Sequence, residues 1–349
     1  MTLYEPPLRL ILDGGALVGN WRWLAAKGGG AACGAAVKAD GYGLGAREVV
    51  ARLAAAGCAD FFVATWGEAD ALGNMPGATA LSVLHGVREE DMAPALASRA
   101  RPVLNTPSMV ARWKAAAPDR PCDVMVDTGM NRLGLSPEDA CSGLLDGLLV
   151  ETLMSHLACA DEPDSGMNSV QRDMFGALVG KVRARRYSLA NSAGICMGQS
   201  YAFDLTRPGL ALYGGIPRAE AAGAIRQVAG IEAQVLQVRS VPAGATIGYG
   251  ATFTAVHPTR VAILNLGYAD GYLRGFAGHG IARLGGDVFP LRGRVSMDLI
   301  ACDLGEADVG EGEWLRIDYP IEQAAKFTGL SQYELLTGLG SRYQRRWFD

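Results

Sequence analysis

A lysine at the end of a short apolar run is the first residue of this sequence that could do chemistry. The run Cys33–Lys38 leads into a loop that contains Gly41, Gly43 and Gly45. A lysine at the carboxyl end of a buried strand is partly removed from water, which lowers its pKa and allows its amine to attack a carbonyl group. An isolated strand-end lysine more often extends its ammonium group into solvent. The residues around Lys38 must therefore decide between the two interpretations.

Other polar residues stand where predicted strands end. They are His156, the pair Asn191–Ser192, and Arg207 with Gly209 close behind it. In a barrel the carboxyl ends of the strands line the active site, and glycine lets the main chain approach a ligand. Each of these residues also has an ordinary structural interpretation, such as a core histidine, a helix cap or a surface ion pair. By spacing alone, the two interpretations stay open.

The elements that carry these residues alternate in a regular way between residues 33 and 213. Apolar runs of four to seven residues are separated by stretches with helical patterning, which is typical of buried parallel strands. The runs are Cys33–Lys38, Phe61–Ala64, Thr79–His85, Arg101–Asn105, Cys122–Asp127, Glu151–Leu157, Tyr187–Ala190 and Phe203–Arg207. Eight strands with intervening helices predict a (β/α)8 barrel. A doubly wound sheet is disfavoured, because no G-x-G-x-x-G motif follows the first strand.

The intervening helices are predicted from apolar residues at helical spacing. One example is the series Val170, Met174, Leu178 and Val182, which indicates an amphipathic helix. Ahead of the barrel, Leu8–Asp13 is predicted to be a strand and Ala16–Lys27 a helix.

Beyond about residue 215 the pattern changes to strands separated by Gly/Pro turns. The predicted strands are Gln234–Val241, Arg260–Leu266, Asp287–Arg292, Met297–Asp303 and Trp314–Asp318. Only the stretch from Ile321 to about Leu339 is predicted to be helical. We therefore predict a barrel domain over residues 1–215 and a mainly β domain over residues 216–349. The first 13 or so residues are assignable to either domain.

The composition excludes several classes of protein. Hydrophobic residues make up 49% and charged residues 19% of the chain, and the net charge is −4. These values are typical of a globular enzyme and predict no nucleic-acid partner and no membrane partner. Seven cysteines without a C-x-x-C pair and four dispersed histidines predict no metal site. The start of the sequence has no signal-peptide pattern, so we expect a cytoplasmic location.

The complete Lys38 motif, V-K-A-D-G-Y-G-L-G, closely resembles the cofactor-lysine motif of alanine racemases, which are barrel-type pyridoxal-phosphate enzymes. Seven further segments resemble this family in the family's own order. They are residues 127–134 (D-T-G-M-N-R-L-G), 155–158 (S-H-L-A), 190–193 (A-N-S-A), 207–214 (R-P-G-L-A-L-Y-G), 248–250 (G-Y-G), 267–272 (G-Y-A-D-G-Y) and 296–298 (S-M-D). The resemblance spans residues 35–298.

The resemblance implies a two-base racemisation of L- and D-alanine with pyridoxal phosphate. Lys38 would bind the cofactor covalently and act as the base on one face, and Tyr268 would be the base on the other. Tyr268 would come from the partner subunit of a homodimer with shared active sites. The residues implied to contact the cofactor are Lys38, Tyr42, Arg132, His156, Asn191, Ser192, Arg207, and, through their backbone, Gly209 and Leu210. Those implied to contact the small amino-acid substrate are Arg132, Met297 and Asp298.

The sequence departs from the family pattern at two places. Many members have a lysine, modified to a carbamate that positions the arginine, where this chain has Met125. The group that orients Arg132 here is therefore left open. Some members place a tyrosine near the C-terminus that supports the site, and either Ser341 or Tyr343 is a candidate for that role. The arginines of this tail are predicted to be structural.

Three alternatives accompany the racemase interpretation. A racemase of serine or another small amino acid would have the same motifs, because one extra atom is worth only a few kcal/mol of discrimination. A barrel-type decarboxylase is disfavoured by Arg207 and Tyr268. A non-catalytic pyridoxal-phosphate carrier would consist of the barrel alone. The biosynthetic and catabolic roles of an alanine racemase both stay open.

Overall fold

Two compact units make up the protein, whose computed structural model describes residues 4–349. One unit combines the segment ending at Ala16 with Gln227–Asp349, and the other is Leu17–Arg226. The sequence placed this division between residues 215 and 216. The later division has a physical reason, because the Asn20 side chain donates to the Arg226 carbonyl (2.7 Å) and accepts the Arg226 N–H (2.8 Å). Strand β1 (Leu8–Asp13) and helix α1 (Gly14–Lys27) open the fold.

The second of these units is the predicted barrel, and the prediction is confirmed. Strands β3 to β9 form a seven-stranded parallel sheet in chain order, and β2 pairs in parallel with β10. The Asp204 and Arg207 N–H groups donate to the carbonyls of Tyr187 and Ala190, which joins the last barrel segment to its neighbour. The strands are β2 (Ala32–Cys33), β3 (Ala35–Ala36), β4 (Asp60–Val63), β5 (Ala80–Val83), β6 (Arg101–Leu104), β7 (Cys122–Met125), β8 (Val150–Met154), β9 (Arg186–Ser188) and β10 (Leu205–Thr206).

The first predicted barrel run is interrupted at Gly34, between β2 and β3. A Cβ atom at this position would lie 2.8 Å from the Asp60 carbonyl oxygen and 2.9 Å from the Phe62 ring. The close approach of β4 therefore requires a glycine here.

Several helices of the barrel unit begin at polar caps. Thr65, Thr106 and Ser136 accept backbone N–H groups at three of these starts. The helices are α2 (Lys38–Tyr42), α3 (Ala46–Ala55), α4 (Trp66–Leu72), α5 (Met92–Ala97), α6 (Pro107–Ala116), α7 (Pro137–Cys141), α8 (Met167–Gly176) and α9 (Ser192–Cys196). Within residues 4–349, no helix is both long and apolar enough to cross a membrane.

Helix α8 is present, but the apolar face predicted for it was wrong. Val170 and Met174 are 53% and 40% exposed, and the helix ends at Gly176, before Leu178 and Val182. The buried face instead contains Asn168 and Gln171 along with Phe175. Polar residues face inward because they bind backbone groups of the preceding loop, and a hydrophobic period cannot reveal this.

The barrel interior has an apolar cluster and an ionic cluster. The apolar one combines residues from five strands, namely Phe62, Val103, Met125, Met154 and Leu205. The ionic one includes Asp60, which accepts two hydrogen bonds from Arg186 (2.6 and 2.8 Å), and the fully buried Asp123, which lies 3.4 Å from Arg101.

The other unit is built on an eight-stranded sheet, as the mainly β prediction requires. The strand order is β14-β17-β16-β15-β18-β11-β1-β19, and β14 also pairs with β11. All pairs in this sheet are antiparallel except β1 with β19. Strands β12 and β13 form a separate hairpin. The strands are β11 (Ala229–Val241), β12 (Thr246–Ile247), β13 (Phe253–Thr254), β14 (Thr259–Leu264), β15 (Ile281–Leu284), β16 (Asp287–Arg292), β17 (Ile300–Asp303), β18 (Trp314–Ile317) and β19 (Gln344–Phe348).

Two features of this unit differ from the prediction. The helix expected from Ile321 to Leu339 is two helices, α10 (Ile321–Thr328) and α11 (Gln332–Thr337). Gly329, at φ +73°, ends the first, and the Ser331 side chain caps the second. Strands β12, β13, β15 and β19 were not predicted. The pairing of β1 with β11 and β19 places the first strand in this sheet.

Candidate active site

Lys38 begins a backbone segment with unusual dihedral angles. Ala39, Asp40, Gly41 and Tyr42 all have φ between +51° and +62°, and Gly43 follows at +85°. Left-handed conformation costs a non-glycine residue roughly 1–2 kcal/mol. The segment is closed by backbone hydrogen bonds from Gly41 to Val37 (2.9 Å) and from Gly43 to Ala39 (2.9 Å). Such strain persists only where surrounding structure enforces it, and it is common at functional sites.

Glu68, at the start of α4, is one source of that enforcement. Its Oε1 accepts the Ala39 N–H (2.8 Å), and its Oε2 accepts the N–H groups of Ala64 (2.6 Å) and Thr65 (3.3 Å). A single carboxylate therefore ties the backbone beside Lys38 to the end of β4. The sequence motif around Lys38 gave no indication of this residue.

Positive charge is concentrated at the carboxyl ends of the barrel strands. Burial and the charge of Arg132 lower the pKa of Lys38, and the charge of Glu68 partly opposes them. Burial, together with Arg207, Arg132 and Lys38, lowers the pKa of His156 to about 3. His156 is therefore neutral at pH 7, and the structure brings together these four residues that the sequence predicted for the site.

Arg207 follows β10 and is buried. It donates from Nη1 to the Ser188 hydroxyl and from Nη2 to the Ser155 carbonyl (2.5 Å). Burial lowers the pKa of Arg207 to about 10, and the charge of Asp123 in the barrel opposes the shift. The guanidinium thus stays charged at neutral pH, and both of these hydrogen bonds end on uncharged oxygens.

Tyr42 and Ser192 meet at Gly209. A Cβ atom on Gly209 would lie 2.2 Å from the Tyr42 hydroxyl oxygen, so only glycine leaves room for that hydroxyl. The Ser192 Oγ accepts the N–H groups of Gly209 (2.9 Å) and Ala211 (3.2 Å). Because both of those interactions use the oxygen as acceptor, the Ser192 proton remains to be donated.

Three other residues predicted to contact the cofactor have backbone roles in this structure. The Asn191 side chain accepts the Gly194 N–H (2.8 Å) and so caps α9. Leu210 is buried and starts a short 3-10 turn, Leu210–Tyr213. The Gly209 N–H, predicted as a phosphate donor, is directed to Ser192.

Arg132 lies in a loop that is organised by Asp127. The Asp127 carboxylate accepts the N–H groups of Gly129 (2.8 Å), Met130 (2.9 Å) and Arg132 (3.0 Å). Burial alone would raise the pKa of Asp127, but these backbone donors lower it. Met125, which replaces the family's lysine, points into the apolar cluster of the barrel. The position of the Arg132 backbone is thus set by Asp127, and the Met125 carbonyl accepts the Leu135 N–H (2.9 Å) where the loop ends.

The predicted second base, Tyr268, lies in the β unit on a short turn after β14. Its N–H donates to the Ser296 carbonyl (3.0 Å), and the Ala269 N–H donates to the Met297 carbonyl (3.0 Å). A Cβ atom on Gly267 would lie 2.2 Å from the Met297 oxygen, so this approach requires glycine. The structure therefore brings Tyr268 together with Met297 and Asp298, as predicted for residues of one site.

Sequence reasoning missed the side chains that join these two segments. Asp270 is fully buried and accepts two hydrogen bonds from Arg342 (2.6 and 2.8 Å), whose Nη1 also binds Asp298 (2.7 Å). Arg342 had been predicted to be merely structural. Its 72-residue separation from Asp270 left no local pattern to indicate the contact.

Taken by itself, the barrel unit offers a lysine with a lowered pKa, a neutral histidine, two arginines and a pair of hydroxyl donors. This combination is suited to an anionic group that carries a reactive carbonyl. No group of three or more His, Cys, Asp or Glu that could bind a metal ion occurs within residues 4–349.

Comparison with known proteins identifies the family. A family model described as "Alanine racemase, N-terminal domain" matches residues 12–217, and "Alanine racemase, C-terminal domain" matches residues 228–347. The chain belongs to the alanine racemase family. Among its relatives, an alanine racemase of Jannaschia sp. is 45% identical over 96% of this chain and 97% of its own length. One from Acidiphilium cryptum is 41% identical, again over 96% of this chain and 97% of its own length.

A solved structure of a family member supports the same assignment. Alanine racemase from Bartonella henselae, determined with covalently bound pyridoxal phosphate, aligns with a TM-score of 0.89 at 31% identity. The alignment covers 99% of this chain and all of the other.

Replacement of Glu68 by glutamine should make Lys38 more reactive. The change keeps a side-chain oxygen for the Ala39 N–H and removes the negative charge that raises the pKa of Lys38. The pKa of Lys38 should fall further, so the neutral amine forms at lower pH. We would measure the rate at which an acylating reagent modifies Lys38 between pH 6 and 10, after removal of any carbonyl compound bound to it. Asp70→Asn, on the exposed side of the same helix, is the control. A profile that stays in place or moves to higher pH contradicts the prediction.

Proposed function

We propose that this chain is a pyridoxal-phosphate-dependent alanine racemase in which Lys38 and Tyr268 are the two bases. The observation that carries the proposal is the group of Lys38, Arg132, His156 and Arg207, which combines a lysine of lowered pKa with a surplus of positive charge. Membership of the alanine racemase family supplies the reaction.

The residues of the barrel fit pyridoxal phosphate. Its phosphate is an anion that accepts hydrogen bonds, and the Ser192 and Tyr42 hydroxyls at Gly209 are suitable donors. The Lys38 amine would hold the cofactor through its aldehyde carbon. Arg207 would face the pyridine nitrogen. Because its guanidinium keeps its proton, it would leave that nitrogen unprotonated. His156 lies among these groups as a neutral ring.

When bound, the cofactor withdraws electrons from the α-carbon of an attached amino acid and so acidifies its α-proton. The chain supplies the rest. Lys38 Nζ takes or returns a proton on one face, and the Tyr268 hydroxyl does so on the opposite face. Arg132 binds the substrate carboxylate and fixes its orientation, and the Met297–Asp298 segment closes the substrate end of the site. Inversion requires both bases, because a single base would return the proton to the face from which it came.

Exchange of the α-proton tests the activity and names the substrate. Incubation with L-alanine in deuterated water should abolish the optical rotation and place one deuterium on the α-carbon. Lys38→Ala should show neither effect. The same assay with serine decides between an alanine racemase and the related alternative, and a non-catalytic carrier would exchange no amino acid at all. Absence of exchange with every amino acid would refute the proposed function.

We further propose a homodimer whose active sites each combine Lys38 of one subunit with Tyr268 of the other. Large apolar side chains support an association surface on both units: Leu133, Val170 and Met174 on the barrel, and Met297 and Leu299 on the β unit are 39–53% exposed.

Subunit mixing tests the shared site. Lys38→Ala and Tyr268→Phe proteins, each inactive alone, should regain activity when unfolded together and refolded as a mixture. A mixed dimer then has one site with both defects and one intact site, so random pairing should restore about a quarter of the parent activity. If both bases came from one chain, every site would lack one base and the mixture would stay inactive.

Gly209→Ala should weaken pyridoxal-phosphate binding by about tenfold or more, the value of a lost charge-assisted hydrogen bond. The new methyl group would displace the Tyr42 hydroxyl, from which it would be only 2.2 Å away. Titration of cofactor-stripped protein, followed by fluorescence quenching, gives the dissociation constant. Gly30→Ala is the control, because a Cβ atom there meets nothing within 4 Å. Unchanged affinity of the Gly209 variant would show that Tyr42 does not bind the phosphate.

We infer a cytoplasmic enzyme that supplies D-alanine for peptidoglycan precursors or serves alanine catabolism. All seven cysteines are unpaired, and five of them are at most partly exposed barrel residues, as suits a reducing compartment.

A further inference from the structure

Tyr268 has no regular secondary structure to hold it, since its segment is a single turn of 3-10 helix, Tyr268–Asp270. The turn is attached to the Ser296–Asp298 segment by the two backbone hydrogen bonds from Tyr268 and Ala269. Two hydrogen bonds at the edge of a turn leave its orientation open to small rotations, which would move the Tyr268 hydroxyl.

The Arg342 guanidinium restricts that freedom. Arg342 binds both oxygens of Asp270 at 2.6 and 2.8 Å, on the Tyr268 side, and binds Asp298 at 2.7 Å on the other side. Asp270 in turn accepts the Gly267 N–H (2.9 Å), so both ends of the turn are tied to the same carboxylate. The planar fork of arginine suits this three-point contact, whereas a lysine ammonium is a single point charge.

The main chain of the C-terminal tail also packs on the turn. A Cβ atom on Gly271 would lie 2.4 Å from the Gly338 carbonyl oxygen, and one on Gly340 would lie 2.9 Å from that of Ala269. Arg342 thus approaches on a segment whose backbone is already seated against the Tyr268 turn. Arg346, also in the tail, does not share this position, since its guanidinium binds Glu5 and Gln344 at the sheet edge.

The two carboxylates differ in environment. Asp270 is fully buried, so removal of its partner would leave a buried charge uncompensated, which is a costly state for the turn. Asp298 has a half-exposed side chain, and an ion pair there adds little to stability. The Arg342–Asp298 ion pair can still fix the orientation of the Met297–Asp298 segment relative to Tyr268.

We propose that Arg342 is a positioning residue for Tyr268: by binding Asp270 and Asp298 together, it sets where the Tyr268 hydroxyl lies relative to the substrate-binding segment. The proposal rests on the proposed function, in which Tyr268 moves a proton on one face of the substrate. Arg342 takes no part in the proton transfer itself. Its loss should therefore slow the Tyr268 step and leave the Lys38 step unchanged.

The first test measures the turn and requires no activity. Hydrogen exchange of the Tyr268 and Ala269 amides, followed by mass spectrometry of the holoenzyme, should become at least about tenfold faster in Arg342→Ala than in the parent. Arg346→Ala, a change of the same type at the edge strand β19, should leave both amides protected. Unchanged protection of these amides in Arg342→Ala would overturn the proposal, whatever the activity of the variant.

The second test separates the two proton transfers. For each enantiomer of the substrate, the rate is compared between α-protonated and α-deuterated forms. In Arg342→Ala, kcat should fall by about 10- to 100-fold, the range expected for a displacement near 1 Å. The isotope effect should rise for the enantiomer deprotonated by Tyr268 and fall for the one deprotonated by Lys38. A purely structural defect would lower both rates and leave both isotope effects as they are, and that result would also overturn the proposal.

Two further variants distinguish a change in the position of Tyr268 from a folding defect. Asp298→Asn keeps the buried Asp270 pair and loosens only the second contact. It should therefore raise one isotope effect and lower the other as Arg342→Ala does, but by smaller amounts. Arg342→Lys should restore folding without restoring the parent isotope effects, because it cannot bind both carboxylates in the same geometry. Recovery of the parent values with lysine would overturn the proposal. If the parent protein exchanged no α-proton, the proposed function would fail, and the amide protection would still decide the role of Arg342.

Discussion

Positive charge gathered at one end of the barrel is the constraint on which the rest of the site depends. Lys38, Arg132 and Arg207 are close enough for each to lower the pKa of His156, and burial lowers the pKa values of Lys38 and Arg207 as well. The hydrogen bonds of Arg207 to Ser188 and Ser155 involve no negative charge. Such an arrangement is unfavourable by itself and becomes favourable with an anion, because the anion offsets both the repulsion and the cost of burial.

Each base of the proposed reaction stands on a short irregular segment, and in each case a charged side chain from elsewhere fixes that segment. Glu68 does so beside Lys38, where it binds the backbone of a left-handed stretch. Arg342 does so beside Tyr268, through Asp270. Irregular backbone can aim a side chain where a helix or strand cannot, but it lacks their repeating hydrogen bonds. Charge-assisted hydrogen bonds replace them with fewer and stronger contacts.

The replacement of the family's modified lysine by Met125 has a consistent physical consequence. Met125 is part of the apolar cluster that contains Phe62, Val103 and Met154, so the position contributes to packing rather than to the charge of the site. The loop that carries Arg132 is held by the Asp127 carboxylate, which accepts three of its backbone N–H groups, and by the Met125 carbonyl, which accepts the Leu135 N–H. The side chain of Arg132 thus acts with one neighbouring charge fewer than in relatives that have the carbamate.

The sequence by itself determined the barrel, the β domain and most of the candidate site. Buried parallel strands are read directly from apolar runs, and the residues that follow them meet at one end of a barrel, so Lys38, His156 and Arg207 could be assigned together. The sequence did not predict the buried face of α8, which is largely polar. It also did not predict strand β19 in the tail, which pairs with β1 at the other end of the chain. Only the tertiary structure decided the roles of Glu68, Asp270 and Arg342. Their partners lie tens of residues away along the chain, and a contact of that kind leaves no period or spacing in the sequence, because it is created by the fold alone.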